Sequence, residues 1–286
     1  MISSFKELHE LVKGSTPKRV ALVAAEDPIL IQAASRAQQE GLAQFILFGN
    51  MRKIESLIPP DVRGFEIIDS HNPSTDAIQH IHKKKADLLM KGKIQTGDLL
   101  RAILDRDTGL RQGELLNHIA VIESPHYHKL LFISDGGINL RLDKEVFQQM
   151  VENITHYLKR LNIERPHFGM MTLVESVSDK IPETVIAQDV VESLSNRVSI
   201  EGPIAPDVAL SRDAATQKGL KSKIAGEVDV FLMPNTTAAN HLVKGLSALG
   251  GCKVGGVVVG ARVPIILLSR SDDAETKYRS ILLGLV

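Results

Sequence analysis

Behind Ser4-x-x-Glu7, which has the form of a helix capping box, Phe5, Leu8, Leu11 and Val12 recur at helical spacing. The pattern predicts a first helix that runs to Lys13 and stops at Gly14. Residues 19–25 then form a short apolar run of strand length, and Pro28 opens a second helical pattern through Ile29, Ala33, Ala37 and Glu40 that Gly41 ends. The alternation repeats, with strands at 45–48, 65–68, 86–90 and 119–122 and helices over 74–84 and 96–104. The second half predicts strands at 130–134, 168–174, 198–201, 228–233, 254–259 and 265–268, interleaved with helices at 144–161, 183–197, 207–218, 237–249 and 273–283. Repeated strand–helix alternation is the signature of an α/β fold with mostly parallel sheets and flanking helices. No linker, low-complexity tract or short repeat interrupts it. The expected organisation is therefore two closely packed α/β domains, residues 1–125 plus 269–286 and residues 126–268.

Composition narrows the function classes. Lys and Arg number 34, and so do Asp and Glu, leaving zero formal net charge and removing the global electrostatic case for nucleic acid or an anionic membrane. An anion site must be local. The single cysteine, Cys252, forms neither an intramolecular disulfide nor a thiolate zinc site, and its apolar setting suits a buried small hydrophobe. The opening stretch lacks the continuous apolar core of a signal peptide, and the most apolar region, residues 254–268, contains Arg262 and Pro264. A cytoplasmic protein without membrane or nucleic-acid partners is expected. His82-Lys83-Lys84-Lys85 reads as a solvated helix face, and His126-x-His128 has no third ligand nearby in sequence, so no metal is expected.

In parallel sheets the ligand lies beyond the carboxyl ends of the strands, which directs attention to the turns that follow them. Lys91-Gly92 follows one strand, with Thr96 as the expected N-cap of the next helix and Arg101 further along it. A lysine, a close-approach glycine, free helix N–H groups and a guanidinium suit a phosphate; the alternative is a structural turn, a cap and a solvated charge. Ser269-Arg270, followed by Asp272 and Asp273, closes another strand and opens the last helix. A hydroxyl, a guanidinium and carboxylates there could serve an oxyanion, a phosphate and a proton, or simply cap the helix. No Gly-x-Ser-x-Gly elbow, G-x-G-x-x-G fingerprint or P-loop motif occurs.

With these turns in view the sequence resembles the phosphate acetyl/butyryl transferase family, closer to its short butyryl-type branch. The matching segments, in order, are Ala86 to Gly92 with Thr96, Leu99 to Ala102, Gly109-Leu110-Arg111, Asn117-His118, Leu131 to Asp135 and Asn139. They continue with Leu173-Val174-Glu175, Pro182, Thr184, Glu201-Gly202-Pro203, Lys218-Gly219, Ala225-Gly226, Asp229, Asn240, Gly260-Ala261, Pro264 and Ser269-Arg270. The resemblance implies two α/β domains in a fold shared with isocitrate and isopropylmalate dehydrogenases, a homodimer or higher homo-oligomer, and a reaction: acyl-CoA plus phosphate gives acyl phosphate plus CoA. Coenzyme A is then a substrate, and no permanently bound cofactor is expected. By carry-over, Ser269 and Arg270 match the catalytic serine and arginine. Lys91, Gly92, Thr96 and Arg101 would line the phosphate or CoA side, with Asn139, Gly202, Pro203, Asn240, Gly260 and Ala261 as further cleft contacts.

Three positions depart from the family pattern. Acetyl-type enzymes carry a catalytic aspartate two helical turns beyond the serine, where this chain has Thr276; Asp272, Asp273 and Glu275 are the candidate replacements. Glu201-Gly202-Pro203 with Pro206-Asp207 replaces Asp-Gly-Pro with Phe-Asp, and Thr237-Ala238-Ala239-Asn240 replaces Glu-Ala-Gly-Asn. The rival readings are a non-catalytic CoA- or acyl-phosphate-binding paralogue and a metal-dependent NAD(P) hydroxyacid dehydrogenase of the same fold.

Overall fold

The computed structural model describes residues 2–113 and 115–286. Its elements run α1 (Phe5–Lys13), β1 (Lys18–Val23), α2 (Pro28–Gln39), β2 (Ala43–Gly49), α3 (Met51–Glu55), β3 (Glu66–Asp69), α4 (Pro73–His82), β4 (Leu88–Lys91) and α5 (Thr96–Leu104). There follow β5 (Asn117–Glu123), β6 (Leu131–Ser134), α6 (Lys144–Arg160), β7 (His167–Met171), α7 (Pro182–Leu194), β8 (Ser199–Ile204), α8 (Pro206–Leu210), α9 (Arg212–Gln217) and β9 (Val230–Leu232). The chain ends with α10 (Thr236–Ala248), β10 (Lys253–Val259), β11 (Ile265–Ile266) and α11 (Ala274–Gly284).

Two compact units result. One holds Phe5–Glu114 with Gly255–Val286, the other Met1–Ser4 with Leu115–Val254. Both expected domain boundaries, after residues 125 and 268, lie later in the chain than these. Strand pairing explains the difference: β5 pairs antiparallel with β6 and so joins the second unit, while β11 pairs parallel with β4 and returns the chain to the first unit before Ser269.

In the first unit the strands lie in the order β3-β2-β1-β4-β11-β10, parallel except for the β10–β11 pair. β1 continues to β2 and β3 on one side and has β4 on the other, so the strand order reverses between β1 and β4. Such a reversal opens a crevice at the carboxyl ends of the two strands. Val20–Val23, Phe45–Phe48 and Leu88–Met90 are buried, as apolar runs covered on both faces must be. α2 starts where the sequence predicts, with Pro28 at its first position and the Asp27 side chain accepting the Leu30 N–H at 3.0 Å.

The second unit has the order β5-β6-β9-β7-β8, parallel apart from β5–β6. Its core gathers Ile122, Ile133, Met171, Ile224, Phe231 and Cys252, the last as the buried small residue expected. The single helix predicted over 207–218 is two, because Ser211 adopts an extended conformation (φ −139°, ψ 118°) and caps α9 through the Ala214 N–H. α3, which the apolar pattern did not announce, is nucleated by Asn50 accepting the Lys53 N–H. None of the described helices is long and apolar enough to cross a membrane.

Candidate active site

The carboxyl ends of β1, β4 and β11 share a pocket of about 470 Å³ in the first unit. The start of α2 (Asp27–Leu30), the turn Lys91–Lys93 and the segment Leu268–Arg270 line it, together with Lys277. Lys91, Gly92, Ser269 and Arg270, distant in sequence, are thus brought to one place by three adjacent parallel strands.

Gly92 is there for space. Its N–H donates to the Val23 carbonyl at 2.7 Å, and a Cβ at this position would lie 2.2 Å from the Ala24 oxygen and 2.4 Å from that of Val23. Lys91, the last residue of β4, is 4% exposed, and its Nζ donates to the Gly92 carbonyl at 3.3 Å. Burial pulls its basicity below that of an ordinary lysine, and the positive charges of Arg270 and Lys277 lower it further. The acids at the rim are already engaged with backbone: Glu26 accepts the Asn50 N–H at 2.8 Å and Asp27 caps α2. Arg270 is exposed and makes no hydrogen bond or ion pair among the described residues. The pocket is therefore a local cationic site in a chain of zero net charge.

The loop that carries Ser269 is held by its own polar groups. The Ser269 N–H donates to Asp272 Oδ2 at 2.8 Å, Ser269 Oγ lies 3.0 Å from Ser271 Oγ, and Lys277 Nζ donates to the Asp272 carbonyl at 2.5 Å. Asp273 is the N-cap of α11, accepting the Thr276 N–H at 2.7 Å. Hydrogen bonds from the Thr276 backbone and hydroxyl hold its carboxyl below the ordinary aspartate value. Glu275 points elsewhere, pairing with Arg36 at 2.7 Å. Asp273→Ala is expected to cost about 1 kcal/mol, measured by urea denaturation at neutral pH. Because the folded-state pKa is depressed, that contribution is lost as pH falls through it, so wild type and variant should converge in acid.

The remaining sequence candidates lie outside this pocket. Thr96 is not the N-cap expected: Gln95, the last extended residue (φ −66°, ψ 136°), takes that position, and Thr96 is the first helical residue with no side-chain cap. Arg101 is solvent-exposed on α5 and pairs with Asp98 at 3.0 Å. Gly260 has φ +94° beside Ala261, which bridges to Arg111. In the second unit Asn139 Nδ2 donates to the Leu116 carbonyl and to Asp135, and Asn240 Nδ2 donates to the Gly136 carbonyl at 3.4 Å, so both brace the Asp135–Gly136 turn. Gly202, before Pro203 on β8, packs against Met170, whose Cβ would sit 2.5 Å from an added methyl.

Glu201 accepts hydrogen bonds from Ser222 Oγ and the Lys223 N–H, and Asp207 shares Lys218 with Glu175. Lys277 stands one residue beyond Thr276, where the family pattern sets a carboxylate. A signal was present: Lys277 falls on the helix face of Tyr278 and Ile281, where an ordinary lysine is disfavoured, in a first turn where a cation opposes the helix dipole. The dehydrogenase reading expects an acidic cluster, and no group of three or more His, Cys, Asp and Glu side chains suited to a metal forms among the described residues.

The family model described as phosphate acetyl/butaryl transferase matches residues 66–284. A phosphate butyryltransferase of Clostridium acetobutylicum is 35% identical, covering 99% of this chain and 98% of that protein. A phosphate acetyltransferase of Thermotoga maritima is 34% identical, covering 98% of each. The crystal structure of a branched-chain phosphotransacylase from Enterococcus faecalis superposes with a TM-score of 0.85 at 27% identity, covering 94% of this chain and 98% of that one. The chain belongs to the phosphate acetyl/butyryl transferase family, and it is a phosphate acyltransferase.

Proposed function

We propose that the enzyme exchanges CoA and phosphate on a butyryl or branched short-chain acyl group, and that the pocket at the ends of β1, β4 and β11 holds the phosphate. The observation that supports this reading most is the meeting of buried Lys91 with Ser269 and unpaired Arg270 in one cationic pocket. A phosphate oxygen attacks the thioester carbonyl, the carbonyl oxygen gains charge, and the C–S bond breaks as CoA leaves and takes up a proton. Arg270 and Lys91 hold the phosphate oxygens, and the Ser269 hydroxyl donates to the developing oxyanion. In the reverse direction a carboxylate takes the thiol proton. Asp272, beside Ser269, fits that role better than Asp273, whose oxygens serve the helix cap. Thr96 and Arg101, open on α5, are assigned to the phosphates of CoA.

The test is direct. Purified enzyme given phosphate and acetyl-, butyryl- or isobutyryl-CoA is expected to release free thiol, fastest with the four-carbon chains. A preference for acetyl-CoA overturns the chain-length assignment, and CoA binding without turnover on any chain leaves the non-catalytic paralogue. The reading includes a cytoplasmic homodimer, checked by cell fractionation and light scattering.

A further inference from the structure

Three lysines are buried among the described residues: Lys91, Lys129 and Lys277, at 4%, 5% and 2% exposure. Lys129 has its counter-charge, with Nζ 2.7 Å from Asp229 Oδ1 and 2.5 Å from the Glu227 carbonyl. The other two have no carboxylate at ion-pair distance: Asp27 and Asp272 act on Lys91 less than Arg270 and Lys277 do, and Asp273 feels Lys277 without bonding it. Neither forms an ion pair among the described residues; each ammonium donates to a single backbone carbonyl, Lys91 to Gly92 and Lys277 to Asp272. Removing an ammonium from water without a carboxylate in contact is costly, and here two such groups line the same pocket as Arg270. An anion entering the pocket supplies the missing charge.

We propose that Lys277 is a direct ligand of the phosphate in this pocket, a third cation beside Lys91 and Arg270. The proposal rests on the reading of the pocket as a phosphate site. An ammonium has three N–H donors, and the Asp272 carbonyl uses one, leaving two for phosphate oxygens. The same bond ties Lys277 to the loop bearing Ser269, so phosphate held by Lys277 is held in register with the hydroxyl. The lowered basicity of Lys91, to which Lys277 contributes after burial and Arg270, agrees with converging charges.

The experiment compares Lys277→Met and Lys277→Arg with wild type, varying phosphate and butyryl-CoA separately, with circular dichroism to confirm folding. Loss of one charged ligand is expected to raise KM for phosphate about 10- to 100-fold in Lys277→Met, leave KM for butyryl-CoA within about 3-fold, and be largely rescued in Lys277→Arg. An unchanged KM for phosphate, or a fall in kcat alone, overturns the proposal, since either assigns Lys277 only to holding the loop. A rise in KM for butyryl-CoA that vanishes with the dephospho-CoA thioester overturns it too, because the ligand is then the CoA phosphate. Should Lys277→Met not fold, Lys277→Gln is read by the same criteria. If wild type turns over no acyl-CoA, calorimetric titration with inorganic phosphate separates the two claims. Weaker binding by Lys277→Met keeps the lysine and abandons only the acyltransferase site, while equal binding, or none by wild type, ends the proposal.

Discussion

Arg270→Ala is expected to lower kcat/KM about a thousand-fold, the scale on which removal of a charged group that holds a transferring phosphate acts. The side chain is exposed and has no hydrogen-bond or ion-pair partner among the described residues, so its loss should leave the melting temperature almost unchanged. That combination separates a binding role from a structural one. The variant should also shift the pH profile. Lys91 must be protonated to attract phosphate, and burial together with the Arg270 and Lys277 charges brings its pKa below the ordinary lysine value. Activity therefore falls as pH rises through that lowered value. Removing Arg270 relieves one repulsion, raises the pKa and moves the alkaline limb to higher pH. A limb that stays in place, or moves toward neutrality, would falsify the assignment of Lys91 as the ionising group.

The second large effect is on stability and activity together. Gly92→Ala places a methyl 2.2 Å from the Ala24 oxygen and 2.4 Å from the Val23 oxygen, and both obstacles are backbone that cannot rotate away. The end of β4 must separate from the end of β1 at the hydrogen bond from the Gly92 N–H to the Val23 carbonyl. A cost of about 2–3 kcal/mol is expected, read as a shift in urea midpoint without a change in slope. Lys91 moves with the strand end, so KM for phosphate should rise even in the fraction that stays folded. Near-wild-type stability with normal KM would mean the turn relaxes freely and that the glycine is incidental to the pocket.

The legibility of the site varied residue by residue. Lys91, Ser269 and Arg270 are candidates in the sequence because they stand at or shortly after the ends of apolar strands, and that position in a parallel sheet is a geometric address. Thr96 was read as a cap because threonine often is one, but backbone dihedrals decide which residue is half outside a helix, and they chose Gln95. Asp272 and Asp273 are indistinguishable as letters. In the fold Asp272 Oδ2 accepts the Ser269 N–H, while Asp273 Oδ1 accepts the Thr276 N–H and caps α11. Lys277 is less legible in the sequence for a related reason: a lysine in a helix is solvated by default, and its burial depends on what packs over it.

What the sequence determined by itself is the local alternation of strands and helices, the parallel character of the sheets and the turns where chemistry could sit. These follow from hydrophobic period and from the short-range stereochemistry of Pro, Gly and capping residues, which act within a few positions of the chain. Strand neighbours are a different kind of fact. That β11, besides pairing antiparallel with β10, lies parallel beside β4 is fixed by packing of surfaces far apart in the chain, and no local pattern encodes it. That adjacency brings Arg270 and Lys277 to Lys91. Tertiary structure thus decided which of many ordinary lysines and arginines share one pocket, because their energy depends on distance in space and on how far water is excluded.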